Sequence, residues 1–195
     1  MAVADLVVQQ FTAAGPTKDT VTTPRLSTMD DDAPGTANPL PIPAAGTTFS
    51  YWMTLHLTIT NIQDATLLNN HQFYSDGACG WALGTDGDLF IAQKTGADMG
   101  VPVASYNQAG GSLGVTGYDM DDVTNGHDYY KAGEVTHAAP VAVDSLTSGA
   151  TMDVDAGDHT IAEGFKGIVI QAEVDTDATR GAQGAEELTF VYDEV

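Results

Sequence analysis

From Phe49 to Thr60 the chain alternates. Phe49, Tyr51, Met53, Leu55, Leu57 and Ile59 are apolar, while Ser50, Thr54, His56, Thr58 and Thr60 are polar, with Trp52 the exception. A β-strand points successive side chains to opposite faces, so a period of two predicts a strand with its odd positions inward. Burying that row at about 1.5–3 kcal/mol per side chain is comparable to the net stability of a whole domain, which predicts a central strand. Trp52, on the polar face, needs a cover: a loop, a second sheet or a partner. His56 on the same face reads as a solvated strand residue rather than a ligand.

A second alternation follows near the C-terminus. Ile168, Ile170, Ala172 and Val174 interleave with Val169, Gln171 and Glu173, predicting a central strand over 166–174. Leu188, Phe190 and Tyr192 interleave with Thr189, Val191 and Asp193, after a polar connection over 175–187. Further strands are predicted at Leu6–Phe11, near Leu68–Tyr74 before a Ser75-Asp76-Gly77 turn, at Tyr129–Thr136, at Val141–Leu146, and once or twice within Thr151–Ile161 around Ala156-Gly157. Cys79–Leu83 and Leu89–Ala92 flank Thr85-Asp86-Gly87, a hairpin signal. Residues 93–126, rich in Gly, Asn and Asp, read as long loops with one or two short strands.

Six of the eight prolines fall between Pro16 and Pro43. Proline lacks the ladder donor, so 16–48 reads as an extended arm with at most short edge strands, lying across a neighbour or forming a surface loop. No 3.6-residue pattern persists long enough for a long helix. The expected fold class is all-β: one domain over 1–195, a single jelly-roll-like barrel or sandwich with long loops.

Charge changes the picture more than any other feature. The 27 acids against 6 bases leave a net charge of −21 and a pI near 4.1. Such a surface repels itself in ordinary buffer, but in molar salt the Debye length falls to roughly 3 Å and most of that repulsion disappears. With few lysines and much Ala, Thr, Gly and Val, the composition reads as salt-adapted, suited to a haloarchaeal cytoplasm or brine. It also argues against nucleic acid, because displacing counterions from phosphates needs a basic patch. The runs Asp30–Asp32 and Asp119–Asp122 read as solvated loops.

Cys79 is the only cysteine, so no internal disulfide can form, and a free thiol is expected. Met1–Leu6 shows no charged leader before an apolar core, hence no secretory signal is expected, and no apolar run reaches the length of a membrane span.

Motifs that could carry catalysis fail on context. Gly110-Gly-Ser-Leu-Gly114 matches a nucleophile elbow, but that elbow needs a strand before it and a helix after it. Asp153–Asp158 resembles half a calcium loop whose glycine comes one place early, with Gly164 where the closing Glu belongs. The five histidines, at 56, 71, 127, 137 and 159, include no short-spaced metal pair. Acids are too numerous for any carboxylate pair to mark a glycosidase. No enzyme activity and no cofactor or metal are expected, beyond loosely held cations. Aromatics such as Trp52, Phe73, Tyr74, Trp81, Tyr106, Tyr118, Tyr129 and Tyr130 suit a core or subunit interface better than a sugar platform.

Asn70-His-Gln-Phe-Tyr-Ser-Asp-Gly77, the Gly80-Trp81 after it, and the late pair Ile168–Val174 and Leu188–Glu194 resemble the smaller major capsid proteins of haloarchaeal icosahedral viruses with an internal membrane, the sphaerolipovirus type. The resemblance implies a single upright β-barrel that builds pseudo-hexameric capsomers with copies of itself and a larger related capsid protein. It places the protein in the virion, above an internal membrane, after synthesis in the host cytoplasm. The candidate subunit-interface residues are Trp52, Phe73, Tyr74 and Trp81. Competing expectations are a virion decoration or tail protein and a carbohydrate-binding β-sandwich.

Overall fold

A computed structural model of the chain describes residues 3–12, 17–28, 36, 38–94, 119–120, 139–160 and 165–195. These residues are all-β, with antiparallel pairing throughout and a single 3-10 turn at Val143–Ser145. The strands are β1 (Asp5–Thr12), β2 (Thr17–Thr20), β3 (Thr48–Phe49), β4 (Met53–Asn61), β5 (Leu68–Ser75), β6 (Asp88–Lys94), β7 (Val141–Ala142), β8 (Met152–Asp155), β9 (Gly167–Val174) and β10 (Leu188–Glu194). The predicted strand at Tyr129–Thr136, the Gly110–Gly114 motif and most of the 93–126 loops lie outside the described residues, as do parts of the proline-rich segment.

One sheet runs β2-β1-β4-β9-β6-β7, with β3 also on β9, and the other runs β10-β5-β8. Both predicted central strands sit inside the larger sheet. β9 has partners on both sides and is buried on both faces, which explains why Val169 and Gln171 are as hidden as Ile168 and Ile170. The two sheets share one core. Met53, Leu55, Ile91, Ile168, Ile170 and Ala172 from the larger meet Phe73 and Val154 from the smaller. A second cluster at one end joins Leu57 and Ile59 to Leu68 and Phe165.

The Phe49–Thr60 alternation holds only from Met53 onward. Phe49 pairs with Glu173 but Met53 pairs with Ile170, so Ser50, Tyr51 and Trp52 oppose two residues of β9. Ser50 anchors this bulge: its N–H donates to the Ala172 carbonyl at 2.9 Å, and its hydroxyl accepts from the Ala172 N–H at 3.0 Å. An extra residue reverses which face each side chain meets. Phe49 and Tyr51 are therefore only half-buried, and Tyr51 packs beside Trp52 instead of joining the Met53–Ile59 row.

The expectation for the opposite face needs correcting. Trp52, Thr54 and His56 are all buried, so His56 is not solvated. Trp52 packs with Ala92, Val169 and Met120, and the Met120 N–H donates to the Gln171 side-chain oxygen at 2.8 Å. Met120, inside a run read as solvated, is fully buried; hydrophobic cover for Trp52 outweighs the acidity of its neighbours.

The hairpin expected around Thr85-Asp86-Gly87 is absent. β6 pairs with β9 and β7, and residues 76–87 form no strand. Their polar groups are taken by the 175–187 connection. Gly80, Ala82 and Thr85 donate backbone N–H groups to the side chains of Glu186, Gln183 and Asp177 at 2.8–3.0 Å. Asp175 and Thr179 donate back to the Leu83 and Ala82 carbonyls. Gly87 is pressed so close to the Leu83 and Glu173 carbonyls that a Cβ would collide with both. Val141–Leu146, predicted as a strand, pairs only at Val141–Ala142 before its 3-10 turn.

Candidate functional site

The four expected interface residues separate into two pairs. Phe73 is completely buried between the sheets, its ring 5.2 Å from that of Phe190 in an edge contact, and Trp52 is 3% exposed. Both are covered by their own chain and neither is open to a neighbouring subunit. Tyr74 and Trp81 are partly exposed. Trp81 lies against the main core while its indole N–H donates to the Gly184 carbonyl at 2.8 Å, which seats it in the zipped loop pair. Cys79 in the same loop is half-buried, and burial raises its thiol pKa.

Around Tyr74 the outer face of the smaller sheet is polar and internally bonded. Gln72 donates to Asp153, Asn69 to Asp158 and Asn70 to Asp193, each at 3.0 Å. These exposed side chains thus bond one another across that face. Nearby, Asp88 and Glu186 are held above the usual carboxylate range, first by burial and then by the charges of Asp144 for Asp88 and of Asp76 and Asp88 for Glu186.

The chemistry that sequence spacing did not reveal lies at one end of the core, around Phe165. Three histidines from distant parts of the chain converge there. The Phe165 ring centroid is 4.5 Å from that of His71 and 4.8 Å from that of His159. Its carbonyl accepts from His56 Nδ1 at 3.1 Å, and its N–H donates to the Leu57 carbonyl at 2.9 Å. Phe165 is thus clamped to β4 by its backbone and inserted into the smaller sheet by its ring.

Two bulges aim the polar members inward. Asn70 takes a left-handed backbone, φ 51°, a conformation Asn tolerates better than most residues. There β5 places Asn70 and His71 opposite the single residue Tyr192, between the pairs Asn69↔Asp193 and Gln72↔Val191. Without that extra residue, alternation from Leu68 would turn His71 outward; with it, Leu68, His71 and Phe73 are all buried. On β8 the register shifts between His71↔Asp155 and Gln72↔Asp153, leaving Val154 over, so Val154 and Asp155 both point inward.

Asp155 is fully engaged. It accepts from the Gly157 N–H at 3.0 Å, the Lys166 N–H at 2.9 Å and His159 Nε2 at 2.8 Å, with the Lys166 ammonium 3.9 Å away. Burial opposes its ionisation, but the two backbone N–H groups and then the charges of His159 and Lys166 outweigh that and hold its pKa below the usual value. His71 is the opposite case. It is 1% exposed, its ring is also 5.3 Å from Phe190, and among the described residues neither ring nitrogen has a partner at hydrogen-bond geometry. Desolvation drives its pKa down to about 4, against the pull of Asp155 and the Lys166 carbonyl, with His159 adding to the fall.

This cluster holds an aspartate–histidine pair, and among the described residues no group of three or more His, Cys, Asp or Glu side chains could hold a metal ion. His127 and His137 lie outside the described residues. No helix among the described residues is long and apolar enough to cross a membrane. Compared with family models, curated proteins and solved structures, the chain matches none.

Proposed function

We propose that the chain is a non-enzymatic structural subunit of a viral shell, a single jelly-roll-like domain that assembles with copies of itself and a larger related capsid protein into pseudo-hexameric capsomers. The observation that supports this reading is the meeting of two of the stretches that carry the resemblance. Asn70–Gly77 spans the end of β5 and its turn, and Leu188–Glu194 is the neighbouring strand, with Phe73 opposite Phe190. Residues more than a hundred positions apart thus form one structural unit. The polar, exposed outer face of that sheet suits a particle surface in brine. The partly exposed Tyr74 and Trp81 are the aromatics a neighbouring subunit would cover. Nucleic acid plays no part in this reading, and an internal membrane lies beneath the shell.

Sedimentation and electron imaging of the protein purified in molar salt, alone and with its larger relative, test the proposal. The expected result is capsomer-sized oligomers and a lattice of upright towers. A strictly monomeric protein that binds defined glycans on an array would overturn it in favour of the carbohydrate-binding reading.

A further inference from the structure

His71 is a buried polar side chain that the fold has gone out of its way to enclose. A left-handed Asn70 turns it inward, Phe165 and Phe190 cover it, and Asp155, the nearest counter-charge, already accepts three hydrogen bonds. In its neutral form the ring packs as one more aromatic. A protonated ring would carry two N–H donors and a positive charge in a buried site where, among the described residues, neither ring nitrogen has an acceptor at hydrogen-bond geometry, and the Lys166 carbonyl and Asp155 offset the lost solvation only in part. We propose that the His71 pocket is an acid-sensitive latch: protonation of the ring expels it from between Phe165 and Phe190 and opens this end of the two-sheet core.

The charged and titratable groups around it decide the sign. From β8 comes Asp155, from the loop after it His159, from the approach to β9 Lys166, and from β10 Tyr192, whose ring stacks on Phe165 at 6.2 Å. His56 on β4 lies across the Phe165 backbone, and Asp193 bonds the side chain of Asn70. Among the described residues Asp155 is the anion facing the ring, and it already accepts from Gly157, His159 and Lys166. It therefore attracts the proton without solvating it. Opening at this point frees Phe165 from the smaller sheet but leaves the main core, centred on Ile168 and Ile170, in place.

The linkage runs in one direction. The ring's proton affinity is about 4 folded against the usual 6.5, so nothing is lost above pH 6.5, and stability falls as pH drops from there until it levels off near 4. At about pH 5 the closed form should be disfavoured about 20-fold relative to neutral pH. The latch rests on the fold alone and not on the capsid reading, and it is measurable on the isolated chain.

The test is hydrogen exchange of the full chain in molar KCl at neutral pH and at about pH 5, corrected for intrinsic rates, on the wild type and His71→Phe. The expected result is acid loss of protection in peptides from β5, β8 and β10, with the β4 and β9 centres unchanged, and no such loss in His71→Phe. An identical acid response in the variant would overturn the proposal. Should His71→Phe not fold, NMR titration of the wild-type His71 ring decides: uptake of a proton only with the opening supports the latch. A ring that titrates near its usual value with protection intact rejects it.

Discussion

Replacing Phe73 with alanine separates a core role from an interface role. Phe73 is fully buried, pairs across strands with Phe190 and Met152, and belongs to the core shared by both sheets. The substitution removes the apolar transfer energy of the ring and leaves a cavity that rigid strands on both sides cannot fill. Phe→Ala at such sites costs about 3–5 kcal/mol. A domain's whole stability is about 5–15 kcal/mol, so the variant should be folded only marginally in molar salt and unfold in low salt. Urea unfolding at constant molar KCl, followed by the fluorescence of Trp52 and Trp81, measures the difference. Tyr74→Ala is the control: the adjacent residue faces outward and is only partly buried, so its loss should cost under about 1 kcal/mol. If Phe73→Ala lost less than about 1 kcal/mol in the isolated chain yet abolished oligomers, the core assignment would be refuted and the side chain would belong to a subunit contact.

Other outcomes follow from the same packing. Leu57→Asp, at a 7% exposed position beside Ile59 and Phe165, buries an unpaired charge and should yield no folded protein by circular dichroism; a folded variant would show the β4 register is wrong. Gly167→Ala would set a Cβ 2.5 Å from the Leu55 carbonyl and 2.8 Å from His56 Nε2, so it should cost about 1–3 kcal/mol in the same urea assay, and a neutral effect would mean the two strands stand further apart. With a net charge of −21, dialysis from molar to low salt should lower the unfolding temperature and disperse any assembly as the Debye length grows to roughly 10 Å, with divalent cations protecting at far lower concentration than monovalent ones. Light scattering follows this, and particles intact at low salt with a chelator would show that specific contacts, rather than screening, hold them.

Some of this was written along the chain. Alternation in Met53–Ile59 and Ile168–Val174 reports a side chain's face directly, because a strand's period is a local property of its backbone. The net charge of −21 is equally legible, because charge is additive along the chain. Neither quantity depends on who the neighbour is. The bulges do. Whether Ser50–Trp52 takes one residue more than β9 offers, or Asn70 one more than β10, is decided by pairing between segments more than a hundred residues apart. Each slip inverts the local face, which is why Phe49 and Tyr51 leave the buried row and His71 is turned inward. The asparagine pair before His71 was the one visible signal. The loop zipper of 76–87 on 175–187 and the gathering of His56, His71 and His159 about Phe165 left no mark in spacing. Three-dimensional proximity across sheets has no period, and only the folded arrangement of strands could supply it.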